Sequence, residues 1–221
     1  MEIYYLDKAC FKSFKGESIM INKEILELEQ QIFELNLKLG ELQKANKSTE
    51  EITNYQFDTQ NGQISLLELF GDNDKLLMIH NMGQGCRYCT LWADGFNGFV
   101  PHLESAMSVV LVSKDSPEIQ RKFANSRGWR FQLASHSGGD YIKEQTVQED
   151  QTNMPGAAVY ERKGDKIYRK NSSVFGPGDL YCSMWSLLGL AGISDGDWTP
   201  QYNYWQKPKK MDDGGKNLPV D

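Results

Sequence analysis

Two cysteines three positions apart are the residues of this sequence best suited to chemistry. Cys86 and Cys89 follow an apolar run of strand length, Lys75–Ile79, and lie where a helix can begin. A cysteine at a helix N-terminus meets unpaired backbone N–H groups and the positive end of the helix dipole, and both favour the thiolate. Residues i and i+3 share a helix face and can form a disulfide. The spacing therefore predicts a reversible dithiol–disulfide couple.

The composition narrows the classes of protein to which the chain can belong. Its 221 residues are 39% hydrophobic, which is typical of one globular domain with appendages, and the net charge of −6 argues against nucleic-acid or anionic-membrane binding. No apolar run is long enough for a membrane span, and residues 1–10 lack the pattern of a secretory signal. We therefore expect a cytoplasmic protein, in which four cysteines indicate redox or metal chemistry rather than a disulfide scaffold.

The N-terminal part carries a regular apolar pattern. Apolar residues recur at alternating steps of four and three, at Ile21, Ile25, Leu28, Ile32, Leu35, Leu39 and Leu42. This pattern predicts an amphipathic helix from Asn22 to about Ala45 with a heptad seam. Two interpretations stay open: the helix packs on its own domain, or the 21–42 helix pairs with a second copy in a coiled-coil homodimer.

The rest of the chain alternates between strand and helix signals. Strands are predicted at 52–58, 75–80, 108–113 and 130–134, with helices running from the cysteines to about Met107 and from Pro117 to Arg127. We expect a kink or break near Val100, because Pro101 lies inside the first of these helices. The β-α-β-α-β order implies a parallel sheet with right-handed crossovers. A polar loop over 135–153, a hairpin of 156–160 with 166–170 and a helix over 180–191 complete the pattern.

Three segments follow from this division of the chain. Residues 1–47 form the N-terminal segment with the heptad helix, residues 48–194 form the main domain, and residues 195–221 form a C-terminal extension with a disordered tail.

The order of strand, C-x-x-C, helix, strand, helix, strand, X-Pro, hairpin and helix resembles the thioredoxin superfamily. The string from Gly85 to Leu103, followed by Val-Leu-Val-Ser and Arg-Gly-Trp-Arg-Phe, is similar to a bacterial thioredoxin-like family of unknown function, over about residues 25 to 205. The resemblance implies an α/β, thioredoxin-like fold with a mixed central sheet flanked by helices, preceded here by the amphipathic heptad helix.

The resemblance also assigns roles to particular residues. Cys86 aligns with the attacking cysteine of thioredoxin, Cys89 with the resolving one, and Pro155 with the cis-proline whose loop faces the dithiol. The alternative for Pro155 is an ordinary trans turn. Arg87 departs from the thioredoxin motif and adds a positive charge that should lower the thiol pKa and move the couple towards oxidant behaviour.

A histidine occupies the position of thioredoxin's buried acid, six residues before the first cysteine. Our hypothesis is that His80 relays protons to Cys89, and the alternative is a buried, hydrogen-bonded histidine. Either role leaves the dithiol itself as the reactive group.

Four functions compete for the Cys86–Cys89 pair. The first is thiol–disulfide exchange on a protein or small-molecule disulfide, without a cofactor. The second is a peroxidase of peroxiredoxin type, although that family carries Thr or Ser where this chain has Gly83. A zinc site would need a second ligand pair, whereas the other candidate ligands are isolated in sequence: Cys10, Cys182, His80, His102 and His136. The fourth is a binding module that acts through its heptad helix and is not an enzyme.

Overall fold

The computed structural model describes residues 23–47, 49–194 and 196–202. Contacts along the chain separate two units, residues 1–46 and residues 47–221. The helices of the described part are α1 (Lys23–Ala45), α2 (Arg87–Glu104), α3 (Pro117–Arg127), α4 (Asp140–Glu144) and α5 (Ser183–Leu190). Its strands are β1 (Glu51–Ile52), β2 (Gln56–Thr59), β3 (Gly62–Ser65), β4 (Lys75–His80), β5 (Ser108–Ser113), β6 (Gln132–Ser135), β7 (Gly156–Lys163) and β8 (Lys166–Val174).

Helix α1, in the first unit, has the predicted amphipathic pattern. None of its residues is buried, and its seam residues from Ile25 to Leu42 are 39% to 64% exposed. Glu24 in its first turn and Lys44 in its last turn both complement the helix dipole. Ile21, the first residue of the predicted seam, lies outside the described residues.

The second unit is built on one mixed sheet of eight strands in the order β1-β8-β7-β4-β5-β6-β2-β3. Strands β4, β5 and β6 run parallel, as the β-α-β-α-β order of the sequence predicts, and the other pairs are antiparallel. The chain therefore has the thioredoxin-like, mixed α/β fold expected from its sequence.

Both faces of the central strands are buried, which explains why β5 reads as a continuous apolar run. Val110 and Val112 belong to one core cluster, and Val109 and Leu111 belong to the other. Successive strand residues point to opposite faces, so one strand can serve both cores. Side chains of α2, α3 and α5 join the second cluster, whereas those of α4 join the first.

Local signals set the ends of α3 as expected. The Ser116 hydroxyl accepts a hydrogen bond from the Ile119 N–H, and Pro117 occupies the first helical position, where no N–H is needed. Gly128 ends the helix with φ 66°, in the left-handed region that glycine adopts without strain.

Helix α2 continues through Pro101, so the break predicted near Val100 does not occur. Proline removes the N–H that would bond the carbonyl four residues earlier, that of Asn97. Here the Arg130 guanidinium donates to the Asn97 carbonyl at 3.2 Å. The freed acceptor is satisfied from outside the helix, and α2 runs unbroken from Arg87 to Glu104.

Two further predictions are corrected by the structure. The strand expected at 52–58 is two strands, because β1 pairs with β8 whereas β2 pairs with β3 and β6. The segment 135–153, expected to be a loop, contains the short helix α4, which buries Tyr141 and Ile142. The tail predicted to be disordered falls beyond residue 202, outside the described residues. No helix in the described part is both long and apolar enough to span a membrane.

Candidate functional site

The two cysteines lie at the first turn of α2 and form a disulfide with each other. Cys86 is the N-cap residue and is partly exposed, whereas Cys89 is only 2% exposed. Their Cα atoms are 5.2 Å apart, within the usual range for disulfides. The first residue of the pair is thus partly open to solvent, and the second is buried.

The end of α2 also supplies a hydrogen bond to the outer sulfur. The Cys89 backbone N–H donates to the Cys86 Sγ at 3.0 Å, as an N-capping side chain requires. The same donor and the helix dipole favour a negative charge on the Cys86 sulfur once the disulfide is reduced. The geometry agrees with the thiolate expected from the sequence.

A tight turn connects β4 to α2. Gly83 has φ 108°, and a Cβ there would stand 2.8 Å from both carboxylate oxygens of Asp115. The Gly83 carbonyl accepts the Cys86 N–H at 3.1 Å, and the Gln84 N–H donates to Asp115 Oδ2 at 2.7 Å. Only glycine fits this position, because backbone conformation and space both exclude a side chain.

Asn81 connects the strand end with the dithiol, and the sequence analysis missed it. Its Oδ1 accepts the Gly83 N–H at 2.8 Å, and its Nδ2 donates to the Cys89 carbonyl at 3.4 Å. The side chain is 6% exposed, so these two bonds are made inside the protein. The signal available in the sequence was an Asn two residues before a glycine, a common local turn pattern.

His80 lies on the other face of the sheet. Its Nε2 is 2.7 Å from the Tyr141 hydroxyl, in the core cluster that also holds Met78. Residue 81 is the one that reaches the dithiol, as the alternation of a strand requires. Burial, with the charges of Arg169 and His136, lowers the pKa of His80 to about 3. A ring that stays neutral at ordinary pH and lies away from α2 counts against the proton relay to Cys89.

Arg87 and Pro155 also flank the site. Arg87 is the first residue of α2, directly after Cys86 in the chain, and its side chain is buried. Pro155 precedes β7, whose first residue, Gly156, pairs with His80 at the end of β4. This register brings Pro155 to the sheet edge from which the dithiol turn departs. The expected cis bond is absent, because the described residues contain only trans peptides. The Pro155 carbonyl accepts a hydrogen bond from the Phe175 N–H, which follows β8.

An aromatic group packs along the side of the dithiol helix. Tyr88, between the two cysteines, has its ring 6.2 Å from that of Trp92 and 6.3 Å from that of Trp185 in α5. Trp92 and Trp185 are buried, whereas Tyr88 is partly exposed. Tyr88 therefore links α2 to α5 through its ring contacts.

The remaining candidates of the sequence do not join the site. Cys182 is a buried free thiol at the N-cap of α5, and burial raises its pKa, so it is a poor nucleophile. Cys10 lies outside the described residues. Within the described ranges no three His, Cys, Asp or Glu side chains are grouped closely enough to hold a metal ion.

Comparisons with known proteins agree with this fold. A family profile described as "Bacterial protein of unknown function (DUF899)" matches residues 22–210. Reduced Prx3 from Vibrio vulnificus superposes with a TM-score of 0.50 at 12% identity, over 66% of this chain and 98% of that one. The bacterioferritin comigratory protein of Xanthomonas campestris does so with a TM-score of 0.50 at 15% identity, over 66% and 99%. The comparison with curated proteins yields no match.

Proposed function

The chain belongs to this bacterial family of unknown function, and we propose that it works there as a thiol–disulfide oxidoreductase. One observation carries the proposal: a partly exposed Cys86 caps a helix and is bonded to a buried Cys89 three residues on. The substrate is a protein or small-molecule disulfide, and the two cysteines need no cofactor to exchange electrons with it. A cytoplasmic location remains part of the proposal, because reduced partners there would regenerate the dithiol.

The reaction consists of two exchanges at sulfur. The Cys86 thiolate attacks one sulfur of the substrate disulfide, the substrate S–S bond breaks, and the released sulfur takes up a proton as a thiol. Cys89 then loses its proton to solvent and attacks the Cys86 sulfur, which releases the second substrate thiol. The substrate gains two electrons, and the Cys86–Cys89 disulfide holds the oxidised state. Under a more oxidising partner the same steps run in reverse.

Three neighbours of the dithiol are proposed to support this chemistry. The buried Arg87 guanidinium would stabilise the thiolate, because a charge acts more strongly in the protein interior than in water. Pro155 would shape the substrate cleft at the sheet edge. Asn81 would hold the Cys89 carbonyl, and therefore the first turn of α2, in place during both exchanges.

A peroxidase is the second candidate function. The Vibrio protein has been crystallised with hydrogen peroxide, and the Xanthomonas protein was studied for alkyl peroxide reduction. In this chain Cys86 would attack a peroxide oxygen to give a sulfenic acid and an alcohol or water, and Cys89 would condense with it to the disulfide and water. Gly83 counts against this candidate, because the Asp115 carboxylate fills the space in which a Thr or Ser side chain would stand.

One assay separates the two candidates. The reduced protein is mixed with a small aromatic disulfide in one reaction and with hydrogen peroxide in the other, and the loss of free thiols is followed in time. We expect fast oxidation by the disulfide and slow oxidation by the peroxide. The opposite preference would contradict the exchange proposal and establish the peroxidase.

The remaining candidate is a binding module, and it is linked to α1. The exposed seam has Ile at the first and Leu at the fourth heptad position in its first two heptads, at Ile25, Leu28, Ile32 and Leu35, a pattern that favours two-stranded coiled coils. We therefore keep a homodimer through this helix as a proposal. If the protein acts only by binding, a Cys86→Ser, Cys89→Ser double variant will retain its cellular role.

A further inference from the structure

The backbone of Gln84, two residues before the outer cysteine, is held from both sides. Its N–H donates to Asp115 Oδ2 at 2.7 Å, and its carbonyl accepts the Tyr202 hydroxyl at 3.0 Å. Asp115 belongs to the connection between β5 and α3, and Tyr202 belongs to the C-terminal extension. Two distant parts of the chain therefore meet at one residue of the dithiol turn.

Tyr202 is itself firmly anchored. Its side chain is 4% exposed, and its ring lies 6.3 Å from that of Phe123 in α3. Its carbonyl accepts a hydrogen bond of 2.7 Å from Arg127, whose guanidinium also pairs with Asp94 of α2. The hydroxyl is thus presented to Gln84 from a fixed ring and a fixed backbone.

The held residue controls the entry into α2. Gln84 is the second residue of the turn in which the Gly83 carbonyl accepts the Cys86 N–H. The direction in which the chain leaves this turn determines where the Cys86 sulfur lies relative to the Cys89 N–H. A donor that is displaced by about 1 Å from its hydrogen-bonded position stabilises the acceptor much less, since hydrogen bonds depend steeply on distance and angle.

We propose that Tyr202 is a positioning residue for the reactive sulfur: its hydroxyl holds the dithiol turn so that the end of α2 stabilises the Cys86 thiolate. The inference rests on the proposed thiol–disulfide exchange, and it gives the C-terminal extension a part in that site. It requires no contact between Tyr202 and the substrate.

The test compares two full-length variants that each remove one hydroxyl. Tyr202→Phe removes the donor to Gln84, and Tyr168→Phe in β8 is the matched control, because the Tyr168 ring packs under Lys163 on another part of the sheet. Both reduced variants are titrated by the ultraviolet absorbance of the thiolate, and the rate of reaction with a small aromatic disulfide is measured at neutral pH. Thermal unfolding is recorded in parallel.

We expect Tyr202→Phe to raise the pKa of Cys86 by about half a unit, which lowers the thiolate fraction at neutral pH, and with it the rate, by up to about threefold. Tyr168→Phe should match the wild type. A Tyr202→Phe titration that coincides with the wild-type curve overturns the inference, even if the melting temperature falls, since Tyr202 would then serve stability alone. A wild type that does not exchange disulfides would end the proposed function instead, and the thiolate titration would still decide the role of Tyr202.

Discussion

Two neighbouring residues at the end of β4 lie on opposite faces of the sheet and have different surroundings. His80 points into the core that holds Tyr141 and Tyr160, and its pKa of about 3 keeps the ring neutral. Asn81 points to the face covered by α2 and bonds the backbone of Cys89. One face buries a polar network that stays neutral, and the other carries the Cys86–Cys89 disulfide. Two adjacent residues, the last of β4 and the one after it, therefore serve the core on one face and the cysteine turn on the other.

The network around His80 explains why that face is inert. The Tyr141 hydroxyl lies 2.7 Å from the His80 ring and 3.2 Å from the Tyr160 hydroxyl. Burial raises the pKa of Tyr141, and it raises the pKa of Tyr160 to about 12. Every member is neutral near pH 7, so the network is costly to charge and contributes stability only while it stays neutral.

On the face of the sheet that carries the Cys86–Cys89 disulfide, removing one sulfur should change the exchange rate most. We expect Cys86→Ser to reduce exchange to the uncatalysed rate, because the attacking sulfur is lost. Cys89→Ser should still attack but then accumulate a mixed disulfide, which mass spectrometry detects. Cys182→Ser, which removes a buried thiol, is the control and should exchange as the wild type does. Loss of activity in that control would place the chemistry at Cys182 and break the comparison.

On the face of the sheet that carries His80, the largest expected effect is a loss of folding stability in acid. His80 has a folded pKa of about 3 and an ordinary value of 6.5, so the unfolded chain binds more protons between these values. Stability from this residue is complete above pH 6.5 and is lost as the pH falls towards 3, by about 1.4 kcal/mol for each unit. His136, with a pKa of about 4, acts in the same direction.

Urea unfolding at several pH values checks this expectation. The wild type should lose stability steeply on acidification, and His80→Asn should start less stable and lose less. The exchange rate of His80→Asn should keep the wild-type dependence on pH. A shifted rate profile would revive the proton relay.

A substitution at Gly83 should change folding stability on the face of the sheet that carries the disulfide. Gly83→Ala should destabilise the fold by about 2–3 kcal/mol, because the new Cβ adopts a strained backbone and meets the Asp115 carboxylate. Gly178→Ala is the matched control, with φ 88° and open space around the Cβ, and should cost about 1 kcal/mol from the backbone alone. Denaturant titration measures both. Equal costs would show that the close approach of Asp115 contributes nothing.

A change of charge at Asn81 should have a smaller effect on the thiols. Asn81→Asp keeps an acceptor for the Gly83 N–H but places a negative charge beside the first turn of α2. Like charges disfavour the thiolate, so we expect the pKa of Cys86 to rise by about one unit. The pH dependence of alkylation reports this shift. An unchanged value would mean that Asn81 is remote from the reactive sulfur in the reduced protein.

The smallest effect on exchange is expected from α1. Leu28→Lys with Leu35→Lys introduces charges into the exposed seam and should convert a coiled-coil dimer to a monomer. Sedimentation velocity measures the oligomeric state, and Glu27→Lys with Glu34→Lys, outside the seam, is the control. Exchange activity should be unchanged, since the partners of the dithiol come from α2 and the turn before it. A wild type that is monomeric would remove the homodimer proposal.

Local patterns in the sequence predicted most of the fold and the proximity of Cys86 and Cys89. Some signals need only residues that are close together in the sequence. Examples are the apolar run of β5, the N-cap and terminal glycine of α3, and the C-x-x-C spacing. Partners distant in sequence were not predictable in this way. Arg130 keeps α2 continuous through Pro101, Tyr141 supplies the hydroxyl that contacts the His80 ring, and Tyr202 reaches Gln84 across 118 positions. In each case a tertiary contact decides what the local pattern leaves open.

The central claim is tested most directly by the pH dependence of alkylation of the two cysteines in the reduced protein, resolved by peptide mass spectrometry. The account predicts that Cys86 reacts with a pKa below the free-thiol value of about 8.5 and that Cys89 stays protected near neutral pH. Equal reactivity of the two, or a Cys86 pKa at or above the free value, would contradict it.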